Sequence, residues 1–175
     1  MIRKYRIGNP IPTDSVVKEI VLSEGTIPYF DRNDEKKELT LLLKKNDRVY
    51  GLGETVRGMN KRGWLYTSNN SDDPNHTENK HSLYASQNFL IVYSKKKTFG
   101  IYIDTPGFVS FDIGYTLHNK MTVSFEDFDA DIYIVDGDSP LSIVASFRHL
   151  IGRSYIPPKW AFGFGQSRWS YLTAD

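Results

Sequence analysis

Phe89-Leu90-Ile91-Val92-Tyr93, Ser94-Lys95-Lys96-Lys97 and Thr98-Phe99-Gly100-Ile101-Tyr102-Ile103-Asp104 form one continuous stretch. Two runs of β-branched and aromatic residues flank a short, charged turn. That is the signature of a β-hairpin. The three lysines read as the hairpin's tip rather than as a phosphate-binding patch, because an apolar strand resumes directly after them. Outward from this hairpin, period-two segments recur. Val16 to Leu22 reads as a strand ending at Ser23-Glu24-Gly25, and Glu38 to Lys44 as another, with a charged turn over Asp31 to Lys37 between them. Further strands are expected at Phe108 to Asp112, Met121 to Phe125 and Ala130 to Val135. Many short strands joined by turn residues predict an all-β chain built as a sandwich.

One segment reads as helix. Ser139 is a suitable N-cap, and Pro140 sits at the first helical position, where its missing N–H costs nothing. Leu141, Val144, Phe147, Leu150 and Ile151 then recur at helical spacing, Arg148 and His149 suit the last turn, and Gly152 ends it. Pro157-Pro158 marks a linker. The run Trp160-Ala161-Phe162-Gly163-Phe164-Gly165-Gln166-Ser167-Arg168-Trp169 is apolar on both alternating faces, as in a strand of a parallel barrel buried on two sides. Such a strand has no partner before Asp175, so further chain is expected beyond it. The predicted organisation is a sandwich over residues 1–152, a linker over 153–158 and the start of a barrel over 159–175.

Composition narrows the function. The 175 residues are 39% hydrophobic and 25% charged with a net charge of +1, which suits a globular chain and gives no pull toward nucleic acid or an anionic membrane. No apolar run is long enough to span a bilayer as a helix. There is no cysteine, so disulfides and thiolate metal sites are excluded. The opening Met1 to Arg6 lacks the apolar core of a signal peptide, which makes a cytoplasmic location the expectation. The sequons at Asn69 and Asn75 then read as loop asparagines. Aromatic residues reach 14%, a level that suits strands and also suits stacking on sugar rings.

Few clusters carry chemistry. Gly51-Leu52-Gly53-Glu54 lacks the further glycine and helix of a nucleotide loop and reads as a close-packed turn. His76 with Asp72, Asp73 and Glu78 could surround a metal, but loop polarity is the simpler reading. The carboxylates from Glu126 to Asp131 read as a solvated strand end. The unusual stretch is the polar loop Ser68 to His81, flanked by Trp64, Tyr66 and Tyr84. Long loops inside compact sheet proteins are commonly functional. Its amides and carboxylates can exchange hydrogen bonds with vicinal sugar hydroxyls beside aromatic platforms.

Four motifs, in order, resemble the N-terminal region of glycoside hydrolase family 31. They are Tyr50 to Glu54, Leu83-Tyr84-Ala85-Ser86-Gln87-Asn88-Phe89, Asp136-Gly137-Asp138-Ser139-Pro140, and Pro158 through Tyr171. The resemblance covers the chain from about Tyr50 onward and is similar to that of bacterial intracellular α-glucosidases. It implies a galactose-mutarotase-like β-sandwich followed by the first strand of a (β/α)8 barrel. It also implies retaining, exo-acting hydrolysis of terminal α-linked glucose from malto- or isomalto-oligosaccharides. The two catalytic aspartates would belong to barrel segments beyond Asp175, so no catalytic residue is assigned here. Two substrate-binding positions carry over: Asp73, with Asp72 as its alternative, as the loop carboxylate facing the second sugar, and Trp169 at the end of the first barrel strand. Many relatives resemble this chain with Tyr at the latter position, and the larger indole hints at α-1,6 acceptance. No cofactor or metal is expected. The expected partners are an oligosaccharide of the maltose or isomaltose type and the chain's own barrel, with self-association left open. The alternatives are a stand-alone carbohydrate-binding module and a purely structural domain.

Overall fold

The computed structural model describes residues 1–95 and 97–165. Ten strands fall into two five-stranded antiparallel sheets. The strands are β1 (Ile2–Ile7), β2 (Asp31–Asn33), β3 (Glu38–Leu42), β4 (Arg48–Gly51), β5 (Trp64–Thr67), β6 (Phe89–Tyr93), β7 (Thr98–Asp104), β8 (Val109–Ile113), β9 (Lys120–Phe125) and β10 (Ala130–Asp136). One sheet runs β1-β10-β7-β6-β4 and the other β2-β3-β9-β8-β5. The hairpin that anchored the sequence reading pairs Phe89 with Tyr102 and Tyr93 with Thr98. Between the sheets, Leu90, Ile101, Ile103, Ile132 and Ile134 of the first sheet meet Leu39, Tyr66, Phe111, Met121 and Val123 of the second, all buried. The all-β sandwich expected from the sequence is therefore what forms.

The two sheets differ in what covers their outer faces. On β8 and β9 buried and half-buried residues alternate, as expected for strands with one wet face. On β6, β7 and β10 nearly every residue is buried. The cover is α1 (Pro140–Ile151), which lays Ile143, Phe147 and Leu150 on Phe89, Ile91, Tyr102, Tyr133 and Val135. Phe147 stacks on Phe89 at 3.8 Å between centroids. Ser139 caps the helix as expected, accepting from the Ser142 N–H, while the Ser142 hydroxyl completes a capping box. The buried stripe starts at Ile143 rather than at Leu141 and Val144, which face outward because the sheet meets α1 one residue round the helix.

Three further expectations are corrected. The charged turn expected over Asp31 to Lys37 begins instead as strand β2, whose Asp31–Asn33 pair with Glu38–Thr40 of β3. Val16 to Leu22 is not a strand. β1 pairs with β10 on one side, and on its other side this segment makes a single parallel bridge, Leu22 with Lys4; before that it crosses the helix end, where the Val17 and Lys18 N–H groups both donate to the Leu150 carbonyl. Over Trp160 to Gly165 there is a single 3-10 turn at Lys159–Phe162, not an extended strand. A barrel strand holds its shape through neighbouring strands, and no other barrel segment lies among the described residues to supply a ladder. The remainder of that expected strand, with Trp169, lies outside the described residues.

Candidate functional site

Between β5 and β6 the chain makes the long polar excursion picked out from the sequence. Its base is fastened to the sandwich by main-chain bonds. Ser68 N–H donates to Val109 O at 2.8 Å, and Val109 N–H returns to Ser68 Oγ at 2.9 Å. The two arms are cross-linked by Thr67 N–H to His81 O and Ser71 N–H to Leu83 O, with Leu83 buried beneath them. Asn70 Oδ1 accepts from both the N–H and the hydroxyl of Ser86. The tight turn Gly51-Leu52-Gly53 carries positive φ at all three residues and lets Glu54 N–H reach Ala85 O at 2.7 Å. Only a backbone without Cβ fits at Gly53, where a methyl would lie 2.5 Å from Ala85 O. This is the close-packed turn expected for that motif, and it presses against the returning arm of the loop.

At the tip, Asp73 is half-buried and engaged. One carboxylate oxygen pairs with Lys80 and the other accepts the Asn75 N–H at 2.9 Å. The Lys80 hydrogen bond, helped by the Asn75 N–H, holds this carboxyl below the usual carboxylate range. It is ionised at neutral pH and unsuited to act as a general acid. Tyr84 donates to the Asp73 carbonyl at 3.2 Å and lies 3.1 Å from His76 Nε2, the two rings meeting edge to face. Asp72 stands beside this knot, exposed, and makes no hydrogen bond or ion pair among the described residues. With His76 and Asp73 tied up within the loop, the metal-ligand arrangement weighed from the sequence does not assemble among the described residues. Sequence reasoning thus reached Asp73 but not its partner Lys80, whose pairing depends on how the loop doubles back.

Sequence reasoning also missed the packing underneath. Arg57 and Lys61 are buried, with only 8% and 6% of their surface exposed. The Arg57 guanidinium lies 4.3 Å from the Trp64 ring centroid and 4.9 Å from that of Tyr66. Lys61 Nζ donates to Thr55 Oγ1 at 2.6 Å, and burial together with the Arg57 charge pulls its ammonium below the ordinary lysine range. Two cations four residues apart, before two aromatics, were the available signal. Nothing in the one-dimensional pattern says that they turn inward.

Beside the loop base, a cavity of about 360 Å³ opens between Ser68–Asn70, Ser86–Asn88 and Thr105–Gly107. Its lining has hydroxyls and carboxamides and no charged residue. Asn88 Oδ1 at its wall is buried without a partner among the described residues. Chemically, the lining offers uncharged hydrogen-bond donors and acceptors. It shows no pair of carboxyl groups facing each other across a bond, as glycoside cleavage requires.

Comparison with known proteins follows the same outline. The model of the glycosyl hydrolase 31 N-terminal galactose mutarotase-like domain matches residues 16–112. Alpha-glucosidase 2 of Bacillus thermoamyloliquefaciens is 32% identical over 133 residues, covering 75% of this chain and 17% of that protein. An alpha-glucosidase of Saccharolobus solfataricus is 26% identical over 179 residues, covering 99% of this chain and 26% of its own length. Among solved structures, a family 31 dextranase of Flavobacterium johnsoniae in complex with glucose superposes with a TM-score of 0.63. It is 25% identical and covers 78% of this chain and 16% of the dextranase chain. The chain therefore spans about a quarter or less of the length of these relatives.

Proposed function

The chain belongs to glycoside hydrolase family 31, of which it carries the N-terminal galactose mutarotase-like domain, and from this premise we propose that it is the front part of a retaining, exo-acting α-glucosidase. Its substrates would be malto- or isomalto-oligosaccharides with a terminal α-linked glucose. In this reading the catalytic carboxyls come from the barrel, and the sandwich shapes one lip of the sugar site. The acidic pair at the loop tip supplies that lip, Asp73 holding the loop through Lys80 and Asp72 offering an open carboxylate to the hydroxyls of the second sugar. Trp169 completes the pocket from the end of the first barrel strand. The supporting observation is the loop tip itself: one carboxylate is consumed in internal bonds, and its neighbour is left free on a braced support. Exposed apolar groups on and after α1 (Leu141, Val144, Tyr155, Ile156, Trp160 and Phe162) support docking of this domain onto its barrel. A cysteine-free chain suits a cytoplasmic enzyme.

The test is kinetic. In the enzyme carrying this domain, Asp72→Ala and Asp73→Ala should each lower kcat/KM on maltose or isomaltose roughly tenfold more than on an aryl glucoside, since lost positioning costs on that order. The aryl substrate has no second sugar to hold. Equal losses on both substrates would remove the loop from the sugar site. A second reading, a sugar-binding module in its own right, is favoured by the uncharged cavity beside Asn88. Calorimetry of the chain with maltose and isomaltose tests it, and saturable binding that survives Asp72→Ala would support it.

A further inference from the structure

The loop tip has few attachments to the sandwich. Within residues 72–80 the bonds run from Asn75, Lys80 and Tyr84 to Asp73, from Lys80 N–H to Thr77 O, and between His76 and Tyr84 and Thr77 and Asn79. All of these stay inside the excursion. Among the described residues, one hydrogen bond joins residues 72–80 to a residue outside the excursion: Arg57 Nε donates to Glu78 O at 2.5 Å. The same guanidinium donates through Nη1 to Leu65 O at 2.6 Å, a carbonyl of β5. One rigid planar group thus bridges the returning arm of the loop and a strand of the core. Its cation lies against the Trp64 and Tyr66 rings.

No carboxylate pairs with Arg57 among the described residues. Its buried charge is met by carbonyl dipoles and ring faces, so what the residue contributes is direction. A lysine keeps the charge but cannot stack flat and donate along two fixed vectors at once. We infer that Arg57 is a positioning residue that clamps the 72–80 loop to β5 and sets the height at which Asp72 meets the second sugar. The inference deepens the reading given under the proposed function and rests on it for the sugar.

Two measurements separate the clamp from that reading. The first is hydrogen exchange on the full chain with Arg57→Lys, and with Trp64→Leu as a second variant that removes one stacking ring. Amides in 72–80 should exchange at least tenfold faster in Arg57→Lys and about threefold faster in Trp64→Leu, while β10 amides keep their protection. Exchange in 72–80 within twofold of the unaltered chain overturns the clamp, whatever the kinetics show. The second is kinetics of Arg57→Lys in the enzyme carrying the domain. KM for the disaccharide should rise about tenfold with kcat falling less than twofold, as loosened positioning of one subsite requires. Faster exchange with an unchanged disaccharide KM overturns the positioning role. If Asp72→Ala is also silent, the failure lies in the sugar reading of the loop rather than in the clamp.

Discussion

Gly100 lies mid-strand on β7, opposite Val135 on one side and Ile91 on the other, directly beneath α1. A Cβ built there would sit 2.7 Å from Ile143 Cγ2 and 3.0 Å from Phe89 Cε2. Carbon atoms in contact prefer about 3.5–4.0 Å. Roughly an ångström must therefore be found, by an off-rotamer Ile143 or by lifting the helix. Neither is easy, because Ile143 is fully buried and Phe147, one turn on, is stacked on Phe89. Overpacking of this kind costs about 1–3 kcal/mol. Alanine recovers roughly 0.4–1 kcal/mol by restricting the unfolded chain. Gly100→Ala should then destabilise by about 1–2 kcal/mol, or roughly 2–8 °C in Tm for a domain of this size. Ile143→Ala alone should cost about 2–5 kcal/mol. Together the two changes should cost less than their sum by about 1 kcal/mol, since the second removes the methyl that the first collides with. Urea unfolding of the four proteins, with m held constant, measures the cycle. Additivity within about 0.5 kcal/mol would refute the claim that the glycine exists to seat the helix.

Asp131 offers a pH test. Its side chain is 12% exposed and is held by Arg6 at 2.7 and 2.8 Å and by Lys4 at 2.7 Å. Burial opposes its charge, but the bonds from Arg6 and Lys4 outweigh it and keep the carboxyl below the usual range. The stability it contributes is therefore complete above about pH 4, the value of an unfolded aspartate, and is lost as pH falls through its lower folded value. Asp131→Asn should cost about 2 kcal/mol at neutral pH, the half-exposed Arg6 reducing the usual loss for a buried pair. It should also flatten the acid limb of stability followed by urea unfolding from pH 7 to pH 2. Gly53→Ala, at positive φ and against Ala85 O, should cost about 3 kcal/mol and speed proteolysis near residues 85–88.

The strands that could be read in the sequence were those whose own pattern suffices. The hairpin of β6 and β7, β9, and β10 with the capped helix after it each announce themselves through alternation, turn residues or a Ser-Pro start. The ones missed were β1, β2, β4 and β5: charged residues or glycine interrupt the first three, β5 is only four residues long, and all owe their state to a neighbour's edge. Val16 to Leu22 shows the converse, a good strand pattern of which only Leu22 bridges β1, because Val17 and Lys18 are held by the end of α1. The outward drift of Leu141 has the same origin, since only the sheet beneath decides which helix face is inside. At the site, the polar loop could be read because its composition is odd for a sheet protein, whereas Asp73 was named as a sugar contact only through the family resemblance. Lys80, Tyr84 and Arg57 act through contacts across 7 to 21 residues, and spacing along a single chain does not encode them.

The pairing of β1 with β10 sets Ile2 against Val135 and Ile7 against Ala130. β1 is thus obliged to wait for β10 before it acquires a ladder. The neighbouring Val17 and Lys18 amides wait longer still, for a carbonyl at residue 150. Closure of so large a loop precedes any reward from it, which puts this topology among slow folders, on the order of milliseconds to seconds. During that interval Tyr5 and Ile7, buried once β1 is in place, stay unshielded.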